Sequence, residues 1–283
     1  MTTVKAGAVI LSLSAVLVAA CTSTTTQPSS VATTTTDPVV LRLGTGDPRG
    51  LPDTPVVEGF ADAVEELSGG SMDVEIVWAA GGDSSDPDGF ERGVVELVRD
   101  GELDLGLIGA RAWDTLGVRS FQALQAPFLI TDQDVLSDVL ESPVADEMLA
   151  GLEGTGVVGL GLYPDGLRHP MGYESAMTSP EDFEGARIRL VPSVATELLV
   201  RTLGGEPVHD LAGDALDAAI ADGEIQGTEI SLGLAARMAP RGSVLTGNVV
   251  LFPRVNSLFA GEDLWASLTD EQTRILEAAA EQA

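Results

Sequence analysis

Residues 179–229 read SPEDFEGARIRLVPSVATELLVRTLGGEPVHDLAGDALDAAIADGEIQGTE, and this stretch is the most informative part of the chain about the fold. From Arg187 to Val191, charged and apolar residues alternate, which predicts a strand with Arg187 and Arg189 on one face. Two helical stretches follow, and each ends at a glycine, which commonly stops a helix. The predicted elements of this β-α-β-α-β unit are a strand at 187–191, a helix at 194–203, an extended segment at 206–209, a helix at 213–222 and a strand at 225–230.

The charge balance of the chain is strongly acidic. The 283 residues include 44 Asp and Glu against 15 Lys and Arg, a net charge of −29, and Lys5 is the only lysine. Such a surface repels nucleic acid and anionic lipid headgroups, so neither is an expected partner. An acidic, solvated surface explains the balance more simply than an acidic partner site. The apolar fraction of 44% predicts a globular body.

The first 20 residues have the pattern of a secretory signal peptide. Lys5 precedes an uncharged, mostly apolar run of 15 residues from Ala6 to Ala20, which is too short to span a membrane. The run ends in Leu-Val-Ala-Ala before Cys21 and resembles a bacterial lipobox, in which cleavage precedes a lipidated cysteine. Residues 1–20 are therefore predicted to be a signal peptide, Cys21 the lipidation site and residues 21–38 a Thr/Ser-rich tether. An ordinary signal peptide with an incidental cysteine is the alternative.

The folded body begins near Val39 with a second β-α-β-α-β pattern, which predicts an α/β domain with a parallel sheet. A strand at 157–163 is followed by Pro164-Asp165-Gly166, where we expect the chain to cross into a second lobe. Strands at 243–252 and 254–260 would return it to the first. The expected lobes are 39–165 with 253–283, and 166–252. The remaining predicted elements are strands at 39–43, 72–78 and 103–108, and helices at 54–67, 90–99, 134–140, 144–152, 262–268 and 270–282.

Motifs for catalysis, cofactors and metals are absent from the sequence. It contains no G-x-S-x-G, H-E-x-x-H or P-loop motif, and His169 and His209 lack metal-ligand spacing. The glycines at 44, 46 and 50 do not have the dinucleotide-binding spacing. We therefore expect a protein that is not an enzyme and has no metal or cofactor. A surface hydrolase with a carboxylate pair remains an alternative, although nothing selects one pair among so many acids.

Several motifs of the 179–229 stretch resemble those of the DctP-type solute-binding proteins of TRAP transporters. Residues 179–189 are similar to D-L-x-G-x-K-(I/L)-R, residues 203–207 to L-G-A-x-P and residues 218–229 to A-L-x-x-G-x-(V/I)-D-G-x-E. Outside that stretch, the similar segments are 67–70 (x-S-G-G), 98–106 (V-x-x-G-x-L-D-x-G) and 127–129 (P-F-L). The order and spacing of these pieces extend the resemblance from about Val39 to the end of the chain.

The resemblance implies a two-lobed, extracytoplasmic binding protein with a ligand cleft between its lobes. It implies that a small organic acid is held by an arginine, because a guanidinium group binds a carboxylate through two parallel hydrogen bonds. The final arginine of the family motif corresponds to Arg189, and a second family arginine, in a G-x-R segment, corresponds to Arg168. The alternative for Arg189 is a surface ion pair. Arg187, at the family's lysine position, is expected to face solvent or an acid.

Departures from the family pattern bear on the ligand. Gln226 replaces the aspartate of D-G-x-E, and Ile230 stands where family members often have Asn or an aromatic residue, which suggests a more apolar ligand. Further candidate ligand contacts are Thr228, Thr45 and Trp78, although core packing also explains Trp78. The expected partners are a TRAP-type permease, a carboxylate ligand and the outer face of the cell membrane. A sensor that presents its closed form to a receptor is the alternative function.

Overall fold

The computed structural model describes residues 37–82, 84–86 and 89–283. Residues Asp37–Ala283 form one compact unit. The signal peptide, Cys21 and nearly all of the tether lie outside the described residues. The strands are β1 Val39–Thr45, β2 Met72–Val77, β3 Leu105–Gly109, β4 Val157–Gly172, β5 Arg187–Arg189, β6 Glu206–Val208, β7 Gly227–Ser231, β8 Val244–Leu245 and β9 Phe252–Gly261. The α-helices are α1 Thr54–Ser68, α2 Phe90–Arg99, α3 Gln133–Leu140, α4 Pro143–Ala150, α5 Val194–Thr202, α6 Gly213–Ala221, α7 Leu232–Met238, α8 Glu262–Ser267 and α9 Asp270–Gln282. Short 3-10 helices span Ala110–Leu116, Gln122–Gln125 and Pro180–Asp182.

The strands of the described chain form one sheet in the order β2-β1-β3-β9-β4-β7-β5-β6, with β8 paired to β4. Strand pairs at both ends of the sheet are parallel, namely β1 with β2 and β3, and β5 with β6 and β7. The pairs in the middle, which involve β4 and β9, are antiparallel. Helices flank this sheet, so the predicted α/β class with mainly parallel pairing in each part is confirmed.

Strand β4 is longer than the sequence predicts. The predicted strand end at Tyr163 is wrong, since β4 continues through Pro164-Asp165-Gly166 and pairs with β9 on both sides of these residues. The register shifts there because three steps on β4, from Pro164 to Leu167, face two steps on β9, from Val255 to Pro253. Gly166 accommodates this bulge with a φ of +86°. The turn-forming residues therefore produce a bulge within a strand and not a break between strands.

Two other local predictions differ from the structure. The strand predicted at 243–252 is wrong for most of its length, because only Val244–Leu245, paired with β4, and Phe252, the first residue of β9, lie in strands. A turn follows, closed by a hydrogen bond of 3.2 Å from the Val249 N–H to the Thr246 carbonyl. Helix α7, directly after β7, was not predicted, and Ser231 caps its amino end through Leu234 N–H at 3.4 Å.

Two hydrophobic clusters cover the β1–β3 part of the sheet. One packs α1 and α9 on the sheet through residues such as Phe60, Leu105 and Leu276. The other packs α2, α3 and α4 through residues such as Val94, Leu136 and Phe259. Within it, Trp113 and Phe259 meet edge to face, with ring centroids 5.1 Å apart. Three smaller clusters lie in the 171–252 part of the chain.

Several charged residues of the candidate site lie at or shortly after the carboxyl ends of strands. β1 ends at Thr45, β3 ends at Gly109 and β5 ends at Arg189. In open α/β sheets, ligands bind beyond the carboxyl ends of parallel strands. The loops that follow β1, β2, β3 and β5 are therefore the first place to look for a binding site.

Candidate functional site

Arg189 lies at the carboxyl end of β5, half-buried between β6 and β7. Its Nε donates to the Leu211 carbonyl at 3.3 Å, and its Nη2 donates to Ser84 Oγ at 3.2 Å. Ser84 belongs to the loop after β2, so this bond joins residues 105 positions apart. Burial lowers the pKa of Arg189, and the negative charge of Glu229 opposes that effect. Among the described residues, no carboxylate forms an ion pair with this guanidinium group.

Arg187 lies on the same face of β5 but at its amino end. Its Nη1 donates to the Glu224 carbonyl at 3.1 Å and lies 3.8 Å from the Glu224 carboxylate. Its side chain is 41% exposed. The expectation that Arg187 faces solvent and an acid is confirmed. The two arginines of one strand therefore differ in depth, which alternation along the strand does not reveal.

Arg168 forms a buried ion pair with a carboxylate. Its Nε contacts the Glu229 carboxylate, and its Nη2 donates to the Glu229 carbonyl at 3.1 Å. Both side chains are almost entirely buried. The pair connects β4 with β7 through antiparallel pairing. Arg168 remains a predicted ligand contact, and its charge is balanced within the protein.

The other predicted contacts occupy two regions. Thr228 lies beside Glu229 on β7 and donates its hydroxyl to the Arg189 carbonyl at 2.8 Å. Ile230 is buried in a cluster with Met171 and Tyr173. Arg168, Thr228 and Arg189 are thus brought together around Glu229. The remaining predicted contacts, Thr45 and Trp78, lie in the β1–β2 part of the sheet, where Trp78 packs against the α1–α9 cluster.

Thr45 is part of a buried polar network. Its hydroxyl donates to Asp53 Oδ2 at 3.0 Å and accepts from the Asp47 N–H at 3.3 Å. The other oxygen of Asp53 has no hydrogen-bond partner among the described residues. Burial raises the pKa of Asp53 to about 6, and the charge of Asp47 adds to this effect.

Two buried arginines that sequence reasoning missed lie next to these groups. Arg254 on β9 has its Nη2 2.6 Å from Asp47 Oδ2 and its Nε 2.8 Å from Asp165 Oδ2. Burial alone would lower its pKa, but Asp47, Asp165 and Glu91 together raise it. One signal was present in the sequence, because Arg254 is the only charged residue in its strand, β9.

Arg111 follows β3 and pairs with Glu91 of α2. Its Nη2 lies 3.0 Å from Glu91 Oε2, while Glu91 Oε1 accepts from the Gly109 N–H at 2.9 Å. The Nε–H of Arg111 is buried and has no hydrogen-bond partner in the described part of the chain. Burial lowers the pKa of Arg111, and Glu91 opposes this. No motif marked this residue.

These side chains form one charge cluster, because ion pairs join Arg111, Arg168 and Arg254 to carboxylates and because Arg111 and Arg189 are influenced by charges on the other members. Arg111 is influenced by Arg168, Glu229 and Arg254, and Arg189 is influenced by Arg111 and Arg168. Arg111, Arg168 and Arg254 also line a small cavity of about 10 Å³, enough for roughly one water molecule. The charge cluster consists of Arg111, Arg168, Arg189 and Arg254 with Asp47, Asp53, Glu91, Asp165 and Glu229.

The charge cluster suits anion binding more than metal binding. The described residues contain no group of three or more His, Cys, Asp or Glu side chains placed to hold a metal ion. Within the same residues, no helix is both long and apolar enough to cross a membrane. A guanidinium group that is bonded only to neutral oxygens has the charge and the donor geometry to bind a carboxylate or a similar anion.

Comparison with known proteins places this fold among solute-binding proteins. The DctP family model, which describes bacterial extracellular solute-binding proteins of family 7, matches residues 44–283. The C4-dicarboxylate-binding periplasmic protein DctP of Rhodobacter capsulatus is 26% identical over 183 residues, which are 63% of this chain and 52% of that protein. The chain therefore spans about half the length of this relative. It spans 34% and 38% of the length of two other curated relatives.

Solved structures of TRAP periplasmic solute-binding proteins share the fold. One from Polaromonas sp. JS666, bound to D-erythronate, has a TM-score of 0.72 at 20% identity, with 86% of this chain and 78% of that chain covered. Another, from Pseudomonas aeruginosa PAO1 with bound L-malate, has a TM-score of 0.73 at 18% identity and covers 86% and 82%.

The match to the family model spans most of the chain, and it agrees with the resemblance found in the sequence motifs. The family and these structural neighbours are binding proteins and not enzymes, which confirms the expectation that the chain is not an enzyme. The chain belongs to family 7 of the bacterial extracellular solute-binding proteins, the DctP family.

Proposed function

We propose that this protein captures a small organic acid outside the cytoplasm and that Arg189 binds the ligand's carboxylate. The observation that carries the proposal is the state of its guanidinium group. Arg111, Arg168 and Arg254 each form an ion pair with a carboxylate, whereas Arg189 bonds only to the neutral oxygens of Ser84 and Leu211 among the described residues. The names of the relatives support an acid ligand, since one is a C4-dicarboxylate-binding protein and structural neighbours hold D-erythronate and L-malate.

Closure around the ligand follows from where these groups lie. Arg189 belongs to the predicted lobe 166–252, and Ser84 belongs to the predicted lobe 39–165 with 253–283. A carboxylate bound at Arg189 would contact groups from both lobes at once. A ligand that makes more contacts in the closed state than in the open state shifts the population toward closure. Arg168 would not supply a second free charge to the ligand, because it is already paired with Glu229.

The proposed role is delivery of the acid to a TRAP-type permease. Under this proposal the protein is held at the outer face of the membrane through lipid on Cys21, with residues 21–38 as a tether. The lipobox-like residues before Cys21 support the anchor, and the family match supports the transport role. Deletion of the gene should abolish cellular uptake of the acid that the protein binds, and unchanged uptake would rule out the transport role.

Calorimetric titration of an organic-acid panel tests the binding site. At least one acid should bind, and Arg189→Ala should weaken that binding by about 2–4 kcal/mol, because a carboxylate would lose its charge-assisted partner. This corresponds to a loss of affinity of roughly 30-fold to 1000-fold. Arg189→Lys should recover part of the loss, since it restores the charge without the planar fork.

Arg187→Ala is the matched control, because it removes a guanidinium group from the same strand at an exposed position. It should leave the affinity within about threefold of the parent. Unchanged affinity in Arg189→Ala, with thermal unfolding showing a folded protein, would remove Arg189 from the binding site.

A further inference from the structure

One guanidinium group of the charge cluster is available to a ligand, and the other three are paired with carboxylates of the protein. Arg111 is 3.0 Å from Glu91, Arg254 is 2.6 Å from Asp47, and Arg168 contacts the Glu229 carboxylate. Within the charge cluster, only Arg189 lacks a carboxylate partner among the described residues. The site therefore offers a ligand one cationic group.

We infer that the site accepts acids with a single carboxylate and excludes dicarboxylates. This inference rests on the proposed function, in which Arg189 binds the ligand's carboxylate. It concerns the rest of the ligand, which would lie near the paired part of the charge cluster, because Arg189 pairs with Thr228 of β7, directly beside Glu229.

A second carboxylate would find no cation in the charge cluster. The chain has no lysine after Lys5, so arginines are the strong bases that remain for the folded body. Four guanidinium groups already face five carboxyl groups there, namely Asp47, Asp53, Glu91, Asp165 and Glu229. A further negative charge would add to an existing acidic excess.

Burial raises the energetic cost of adding another negative charge to this excess. Glu91 and Glu229 are more than nine-tenths buried, and so are the arginines that pair with them. A second carboxylate placed among them loses its hydration and gains no counter-ion, which is a large penalty in a poorly screened environment. It also repels the carboxylates of these pairs. Competition for Arg168 would leave Glu229 buried and unpaired. Competition for Arg111 would leave buried Glu91 with only Arg254, at 3.8 Å, as a cationic partner, so exchange of partners gives little relief.

The paired groups still favour neutral oxygens on the ligand. The Nε–H of Arg111 is a buried donor without a partner among the described residues, and Arg111 lines the small cavity together with Gln125. A hydroxyl or carbonyl oxygen would satisfy this donor without adding charge. The ligand class is therefore a monocarboxylate whose remaining polar groups are uncharged.

Matched pairs of acids test the inference on the full folded chain by calorimetric titration. The pairs are D-erythronate with meso-tartrate, and L-2-hydroxybutyrate with L-malate, each differing mainly in a second carboxylate. In every pair with a measurable binder, the monocarboxylate should bind at least tenfold more tightly. A dicarboxylate that binds as tightly as its matched monocarboxylate overturns the inference.

A variant that lacks one negative charge tests whether charge causes the preference for monocarboxylates. Glu91→Gln keeps an oxygen for the Gly109 N–H but removes the negative charge opposite Arg111. The preference for the monocarboxylate should fall by at least tenfold in this variant, because Arg111 would then be free for a second carboxylate. Glu224→Gln, which removes the acid beside exposed Arg187, is the matched control and should leave the preference unchanged. The same preference in Glu91→Gln as in the parent would overturn the charge-based explanation.

Failure of this inference differs from failure of the proposed function. If dicarboxylates bind tightly and Arg189→Ala abolishes their binding, the inference is wrong while Arg189 remains the receptor. If Arg189→Ala changes the affinity of neither class, or if no acid of either class binds, the proposed function fails and the inference falls with it.

Discussion

Asp53 is a buried carboxyl group whose ionised form lowers the stability of the folded protein. It is 1% exposed, one oxygen accepts from Thr45, and the other has no hydrogen-bond partner in the described chain. Burial and the nearby charge of Asp47 raise its pKa from 3.8 to about 6. The folded protein therefore binds this proton more tightly than the unfolded chain does.

This pKa shift predicts a pH-dependent stability difference between the parent and Asp53→Asn. Between about pH 4 and pH 6 the folded state holds more protons than the unfolded state, so stability falls as the pH rises. Above pH 6 the parent carries the full penalty, on the order of 3 kcal/mol for a shift of this size. Asp53→Asn lacks the ionisable group, so its stability relative to the parent should increase between pH 4 and pH 6.5.

Urea unfolding at several pH values measures this difference. Asp62→Asn, at an exposed position of α1, the helix that begins directly after Asp53, is the matched control for loss of a negative charge. If the difference between Asp53→Asn and the parent is constant across this pH range, Asp53 does not titrate as argued.

Helix α5 is stabilised at its amino end by a side chain from elsewhere in the chain. The N–H groups of Val194 and Ala195 donate to Asp114 Oδ1 and Oδ2 at 2.9 and 3.0 Å. Ser193, the N-cap residue, has its hydroxyl 2.9 Å from Asp114 Oδ2 and 2.8 Å from Gln125 Oε1, and it can donate to one of them at a time. A negative charge at this position also favours the helix dipole. Asp114 thus links the 3-10 helix after β3 to the first turn of α5.

Replacement of Asp114 should cost more than replacement of a local cap. Asp114→Ala would leave two helix N–H groups and the Ser193 hydroxyl without their charged acceptor, at about 3 kcal/mol. Asp132→Ala is the matched comparison, because Asp132 caps α3 through Asp134 and Val135 from the adjacent position in sequence. Loss of that cap should cost about 1 kcal/mol.

Chemical denaturation of both variants tests the cap. Asp114→Asn, which keeps an acceptor oxygen and loses the charge, should lie between Asp114→Ala and the parent. Equal stability losses for Asp114→Ala and Asp132→Ala would show that the long-range cap contributes no more than a local one.

Charge and anchoring act on the molecule as a whole. The net charge of −29 keeps such a protein soluble and discourages binding to anionic membrane lipids through charge. A protein of this kind that works at a membrane needs another means of attachment. In our proposal, lipid on Cys21 supplies that attachment.

Cys21→Ser in the full chain tests the anchor in a bacterial host. The parent should fractionate with membranes and incorporate a labelled fatty acid, because acyl chains hold it to the bilayer. The variant should appear in the soluble extracytoplasmic fraction without label, while Thr22→Ser, its neighbour, should behave like the parent. The same distribution for parent and Cys21→Ser would contradict the lipid anchor.

Local pattern was enough to predict most elements and the fold class. Helices α1, α2, α5 and α6 follow apolar periodicity and glycine stops, which depend on neighbouring residues alone. The order of short motifs was enough to indicate the family. The lobe boundaries and the ligand contacts stay predictions.

Long-range pairing decided the rest, because it depends on residues that are distant in sequence. Pro164-Asp165-Gly166 has turn chemistry, yet pairing of β4 with β9 makes it a bulge. Arg254 meets Asp47 across 207 positions, and Arg168 meets Glu229 across 61, through the registers of β9 and β7. Every arginine in an acidic chain has many possible partners in the sequence. Strand pairing and helix packing together bring specific carboxylates to Arg111, Arg168 and Arg254, and they leave Arg189, among the described residues, bonded to neutral oxygens.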